Sequence, residues 1–194
     1  ETQKPIRSTP ATDGVNIFFG SDEGTIYAIN RSSGQLAWKY RGRAGIFAGP
    51  AIVGPGVVVG DLAGVVMCLD SKTGALRWTY KTGSKIYAPA AADAATVYAS
   101  SADGNLHALE AETGKRKWFF SARSVLGSSP LVAGEFLYVG SLDRMLYALK
   151  SATGEEVWRY EAEGRIRVSP VLCGTILLLT SEDKYITALK PRSP

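Results

Sequence analysis

The chain has 194 residues, 45% of them apolar and 21% charged, which suits one domain with a substantial core. Its formal charge of +4 comes from 22 basic and 18 acidic residues interleaved along the sequence, too mild a balance to imply a nucleic-acid partner. No window approaches 18 consecutive apolar residues, so no transmembrane helix is expected, and the opening ETQKPIRSTP has no apolar core of a secretion signal.

In chain order the sequence falls into five units, 5–44, 45–84, 85–124, 125–164 and 165–194, all read as parts of a single domain. The period is 40 residues with no insertion or deletion: Trp38, Trp78, Trp118 and Trp158 form one column and Gly34, Gly74, Gly114 and Gly154 another. Ile6, Ile46, Ile86, Leu126 and Ile166 align in the same way, and so do the small residues Ala28, Cys68, Ala108, Ala148 and Ala188.

Each unit reads as four short strands. In the second unit they are IFAGPAIV (46–53), VVVG (57–60), VVMCLD (65–70) and LRWTY (76–80), rich in β-branched and aromatic residues and too short for helices. The turn after the second strand carries Gly24, Gly64 and Gly104, and the next carries the Gly34 column, both suiting left-handed backbone. Arg144 and Lys184 replace glycine at the first of these turns, so those two loops are expected to relax. The third strands are apolar on both faces, which requires cover on both sides. Four-stranded sheets stacked face to face around an axis meet that requirement: the fold expected is an all-β propeller of five four-stranded repeats, the last lacking its outer strand. A solenoid of β-arches is the competing architecture, though its repeats are usually shorter.

The run VYASSADGNLHALEAETGKRKWFF (97–120) carries an A-L-[DEKN]-x-x-[ST]-G-x-x-x-W core that is also visible at 28–38, 68–78 and 148–158. On these residues the sequence resembles the PQQ-like repeat, found in quinoprotein dehydrogenases and in outer-membrane-assembly lipoproteins of the BamB type. The resemblance spans essentially the whole chain and implies a propeller, a bacterial origin, and a place on the periplasmic or extracellular side of the envelope. Familiar members have seven or eight blades. Here either five blades close a small ring or the chain is part of a larger one, and the even spacing favours closure.

Function is less determined, because this repeat serves both enzymes and scaffolds. The quinoprotein reading would need a Ca²⁺ ion, an acidic base and a vicinal cysteine pair. The sequence has no Cys-Cys, and Asp22, Asp103, Asp143 and Asp183 fall where aspartate makes turns, so no cofactor, metal or catalytic residue is expected. His107, the single histidine, shares a third-strand column with Tyr27, Met67, Tyr147 and Thr187 and reads as an interior residue. Ser128 and Ser129 have no histidine to activate them. Cys68 and Cys173 read as two separate buried small residues.

The connections from one unit to the next hold Arg41, Arg43, Lys81, Lys85, Arg123, Arg165 and Arg167, which in a propeller gather on one face beside Phe47 and Tyr87 near the channel mouth. The reading is a non-catalytic scaffold that binds another protein or peptide through this basic rim. The alternatives are a ligand-sensing ectodomain of a membrane receptor or kinase, with any membrane link through flanking segments, and a quinoprotein fragment. The unpaired edge near Tyr185–Lys190 is a second candidate surface, for capping by the ETQKP segment, for self-association or for a partner strand.

Overall fold

Short apolar runs separated by glycine-bearing turns can satisfy their backbone groups only by pairing with their neighbours, and each unit does so in its own antiparallel sheet. The computed structural model describes residues 1–190. The first sheet consists of β1 (Ala11–Thr12), β2 (Asn16–Gly20), β3 (Thr25–Asn30) and β4 (Leu36–Arg41). The second holds β5 (Ala51–Val53), β6 (Gly56–Gly60), β7 (Val65–Asp70) and β8 (Leu76–Lys81), and the third β9 (Ala91–Ala92), β10 (Thr96–Ser100), β11 (Asn105–Glu110) and β12 (Arg116–Ser121). The fourth contains β13 (Leu131–Ala133), β14 (Phe136–Gly140), β15 (Met145–Lys150) and β16 (Glu156–Glu161). The fifth has three strands among the described residues: β17 (Val171–Cys173), β18 (Ile176–Thr180) and β19 (Ile186–Leu189). Residues 191–194 of the fifth unit lie outside the described residues.

The inner strand is shorter than its sequence suggests. Residues 46–50 of IFAGPAIV bend rather than pair, since Gly49 and Pro50 interrupt the run and proline offers no N–H to a ladder. The third strands are buried on both faces as expected, with Val66, Met67, Cys68 and Leu69 all within 3% of full burial.

Four apolar cores hold the sheets together, one at each successive contact. Phe18, Trp38, Ile46 and Val57 join the first sheet to the second; Trp78, Ile86 and Val97 the second to the third; Leu106, Leu126 and Leu137 the third to the fourth; Leu146, Ile166 and Leu177 the fourth to the fifth. Among the described residues no fifth core joins the last sheet to the first. Ile6 is 47% exposed, whereas its counterparts Ile46, Ile86, Leu126 and Ile166 are at most 1% exposed, and Val171 on β17 is 56% exposed. The described residues thus form an open arc of five blades rather than the closed ring that the spacing favours.

The tryptophan column explains much of the repeat. Trp38, Trp78, Trp118 and Trp158 pair directly across the ladder with Ala28, Cys68, Ala108 and Ala148, the small column, and a bulge follows each pair. The ring then reaches the next blade. Trp38 Nε1–H donates to the Ser71 carbonyl at 2.9 Å, Trp78 to Ala111 at 2.9 Å and Trp118 to Ser151 at 3.2 Å. Gly74, Gly114 and Gly154 lie flat on those rings: an added Cβ would meet them at 2.7, 2.5 and 2.4 Å. These glycines also hold φ of 71–74°, so both space and backbone require the residue.

Two expectations fail. Arg144 and Lys184 keep φ of 73° and 71°, so their loops do not relax. The turn bond from Arg144 N–H to the Ser141 carbonyl (3.2 Å) persists, the following connection bonds the Arg144 carbonyl through Ala162 N–H (2.9 Å), and the guanidinium pairs with Glu161 at 2.7 Å. The surrounding contacts hold the left-handed residue in place. Cys173, expected to be buried, is exposed because no blade covers β17 among the described residues; Cys68 is buried, and both thiols are free.

Candidate functional site

The connections between blades and the turns after the second strands lie on one face, knitted by backbone hydrogen bonds. Leu62 N–H donates to Gly45, Ala102 to Lys85, Leu142 to Val125 and Glu182 to Arg165, all within 2.9–3.1 Å. The same face therefore holds every residue of the expected basic rim. Arg41, Arg43, Lys81, Lys85, Tyr87, Arg123, Arg165 and Arg167 are exposed, while Phe47 is half-buried beneath the Arg7 guanidinium, 5.3 Å from its ring centre.

This face also holds carboxylates, which the sequence reading treated only as turn formers. They do make turns: Asp103 Oδ1 accepts from Asn105 N–H (2.8 Å) and Asp143 Oδ1 from Met145 N–H (2.9 Å). Their second oxygens reach over to the neighbouring connection, where Asp103 Oδ2 accepts from Gly83 N–H at 2.7 Å and Asp143 Oδ2 from Arg123 N–H at 3.1 Å. Burial alone would raise the Asp103 carboxyl, but the backbone N–H groups of Asn105 and Gly83 and the nearby His107 hold it below the usual range. Other acids neutralise single rim arginines, Asp22 pairing with Arg7 at 2.8 Å and Glu182 with Arg167 at 2.5 Å. Arg41 bonds Thr25 Oγ1 at 3.1 Å, and the Lys81 ammonium reaches the Ala63 carbonyl. Among the described residues, Arg41, Arg43, Lys81, Lys85, Arg123 and Arg165 form no ion pair with a carboxylate.

His107 sits inside this scaffold. Its Nε2 lies 3.3 Å from Asp103 Oδ2 and its Nδ1 3.2 Å from the Tyr80 hydroxyl, which suits the tautomer donating to the carboxylate and accepting from Tyr80. Burial pushes its pKa below the ordinary value, against the pull of Asp103. Tyr27 and Tyr147, in the same column, donate to Glu23 at 2.5 Å and Asp143 at 2.7 Å. In the second blade Met67 and Ala63 replace both partners at once. His107 therefore does the work of a tyrosine.

A second concave region lies at the far end of the arc. A groove of about 740 Å³ opens between the fourth and fifth blades, lined among others by Tyr138, Trp158, Tyr160, Leu172, Leu177 and Leu189. The sequence reading placed an open edge here through Tyr185–Lys190 but missed the groove, whose floor is built by the fourth blade. The signal was present as Trp158 with no tryptophan one period later.

The family described as outer membrane protein assembly factor BamB matches residues 23–132 and 121–193. Among solved structures, BamB from Moraxella catarrhalis superposes with a TM-score of 0.86 at 22% identity, over 97% of this chain and 64% of the other. The computationally designed Ika8 protein superposes with a TM-score of 0.69 at 15% identity, over 97% of this chain and 72% of the other. These likenesses establish the fold. The chain spans 64% of the length of the BamB structure it matches, and no curated protein matches its sequence. With family matches running from the first blade to the last, the chain belongs to the BamB family of PQQ-like repeat propellers.

Proposed function

We propose that this chain is a non-catalytic β-propeller scaffold for protein–protein interaction, acting on the periplasmic or extracellular side of a bacterial envelope and docking an acidic segment of another protein on its connection face. The observation that carries the reading is the set of cationic side chains on successive connections, Arg43, Lys81, Lys85, Arg123 and Arg165, exposed and outside any ion pair among the described residues while the neighbouring carboxylates turn inward to backbone N–H groups. Such a patch attracts and orients an acidic partner, and Tyr87 and Phe47 offer apolar contact within it. The description of the matching family as an assembly factor supports a role among other envelope proteins.

The test is retention of partner from a bacterial envelope extract by immobilised protein. Reversal of Arg43, Lys85 and Arg123 to Glu should abolish retention, and raised salt should weaken it in the unaltered protein. Retention unchanged by the triple reversal would overturn the reading. So would a rise in melting temperature that grows with the concentration of added PQQ and Ca²⁺, since a ligand that binds only the folded state stabilises it further, logarithmically, as its concentration rises above its dissociation constant.

A further inference from the structure

We infer that the connection face holds a side-chain-sized notch at Gly127, in which the docking acidic segment seats one aromatic side chain; the inference rests on the docking reading above. The notch is a gap in a repeated column. Positions 7, 47, 87, 127 and 167 hold Arg, Phe, Tyr, Gly and Arg, one on each connection. Each stands opposite a turn residue of its own blade, because the N–H groups of Asp22, Leu62, Ala102, Leu142 and Glu182 bond the carbonyls of Pro5, Gly45, Lys85, Val125 and Arg165. In the first and fifth blades the two facing residues form an ion pair, Arg7 with Asp22 at 2.8 Å and Arg167 with Glu182 at 2.5 Å. The second and third blades place Phe47 opposite Leu62 and Tyr87 opposite Ala102 in the same register. In the fourth blade Leu142 has only Gly127 opposite it.

Neither backbone nor crowding requires that glycine. Gly127 is absent from the glycines with positive φ, and a Cβ added to it would meet nothing within 4 Å. Neighbouring members of the column touch, as the Arg7 guanidinium over the Phe47 ring at 5.3 Å shows. By the same step Tyr87 borders the notch on one side and Arg167 on the other. Tyr87 is 43% exposed, whereas Phe47 is half-buried. The blades on both sides of the notch are present, so its walls are set inside the arc and not by the ends of the chain.

The surroundings define what enters. Phe47 and Tyr87 fill this place on the two preceding connections, so the space suits an aromatic ring, with Leu142 beneath it. Lys85 and Arg123 are exposed and outside any ion pair among the described residues. On the next connection Glu161 is tied to Arg144 at 2.7 Å, while Glu163 is exposed. Carboxylates of the incoming segment therefore lie on the Lys85 and Arg123 side of its aromatic residue.

The test titrates two labelled peptides, DEDFEDE and DEDAEDE, against the 194-residue chain by fluorescence anisotropy. Both should bind and weaken with salt, DEDFEDE about fivefold more tightly because its ring is partly buried. Gly127→Phe, which supplies the missing side chain, should bring DEDFEDE down to the affinity of DEDAEDE and leave DEDAEDE unchanged. Tyr87→Ala, which removes one wall at an exposed position, should weaken DEDFEDE alone and serves if the first variant does not fold. Equal affinity of the two peptides, both weakened by salt, would overturn the notch and leave the rim reading standing. A preference for DEDFEDE that survives both substitutions would place its ring elsewhere and overturn the notch as well. Absence of saturation by either peptide at millimolar concentration would overturn the notch and the rim reading together.

Discussion

Replacing the tryptophans one at a time separates the covered sites from the open one. Trp78 is 7% exposed, bonds the Ala111 carbonyl at 2.9 Å and carries Gly114 against its ring. Its change to Ala removes a fully packed aromatic and leaves that carbonyl without its donor, so a loss of about 3–5 kcal/mol is expected. Trp158 is 38% exposed, so it buries roughly two-thirds of the surface that Trp78 does, and no described residue accepts from its indole N–H. Scaling the transfer part and omitting about 1 kcal/mol for the hydrogen bond leaves about 1–2 kcal/mol for Trp158→Ala. Urea melts of the two variants, followed by far-ultraviolet dichroism with matched slopes, measure the difference. Equal losses at the two positions would refute the reasoning, because they would mean that Trp158 is covered as fully as the others.

Acidification should destabilise the fold from near neutrality. Because the folded-state pKa of His107 is depressed, the unfolded chain binds its proton first, and stability falls as pH drops below about 6.5, by at most about 1.4 kcal/mol per pH unit. Asp103 acts in the same direction at lower pH, below about 4, where its unfolded carboxyl takes a proton before the folded one. His107→Tyr, the residue present at Tyr27 and Tyr147, should keep the bond to Asp103 and flatten the melting-temperature profile between pH 6.5 and 5. Arg144→Gly should raise stability by up to about 1 kcal/mol in denaturant melts, by removing a side chain from left-handed backbone. A thiol reagent at pH 8 should label Cys173 rapidly in the native protein and Cys68 only on unfolding, since burial pushes the Cys68 thiol up to about 11; mass mapping of the adduct reads this directly.

The architecture was legible because it is repetitive. A 40-residue period with fixed Trp, Gly and small-residue columns shows the blades and even the cross-strand partner of each tryptophan. What the columns conceal is which blade a residue touches. Gly74 serves the tryptophan of the blade before it, and Gly34, in the same column, meets nothing within 4 Å because no blade precedes it among the described residues. Exposure at the ends of the arc escaped for that reason, and Cys173 and Ile6 follow the repeat in sequence while losing the neighbour that would bury them. The left-handed Arg144 escaped differently, since a local propensity of about 1 kcal/mol is outweighed by the tertiary bonds holding its turn. For the rim, the sequence places the cations, but the inward direction of Asp103 and Asp143 depends on the neighbouring connection and is visible only in three dimensions.

Lysine-directed cross-linking of the protein to the partner it retains from envelope extract tests the scaffold reading most directly. Lys81 and Lys85 lie on the connection face, whereas Lys72 and Lys115 are exposed in the turns between third and fourth strands, on the opposite face. Cross-links concentrated at Lys81 and Lys85, and lost from both lysines when Arg43 and Arg123 alone are reversed to Glu, are the predicted result. Cross-links concentrated at Lys72 and Lys115 would contradict it.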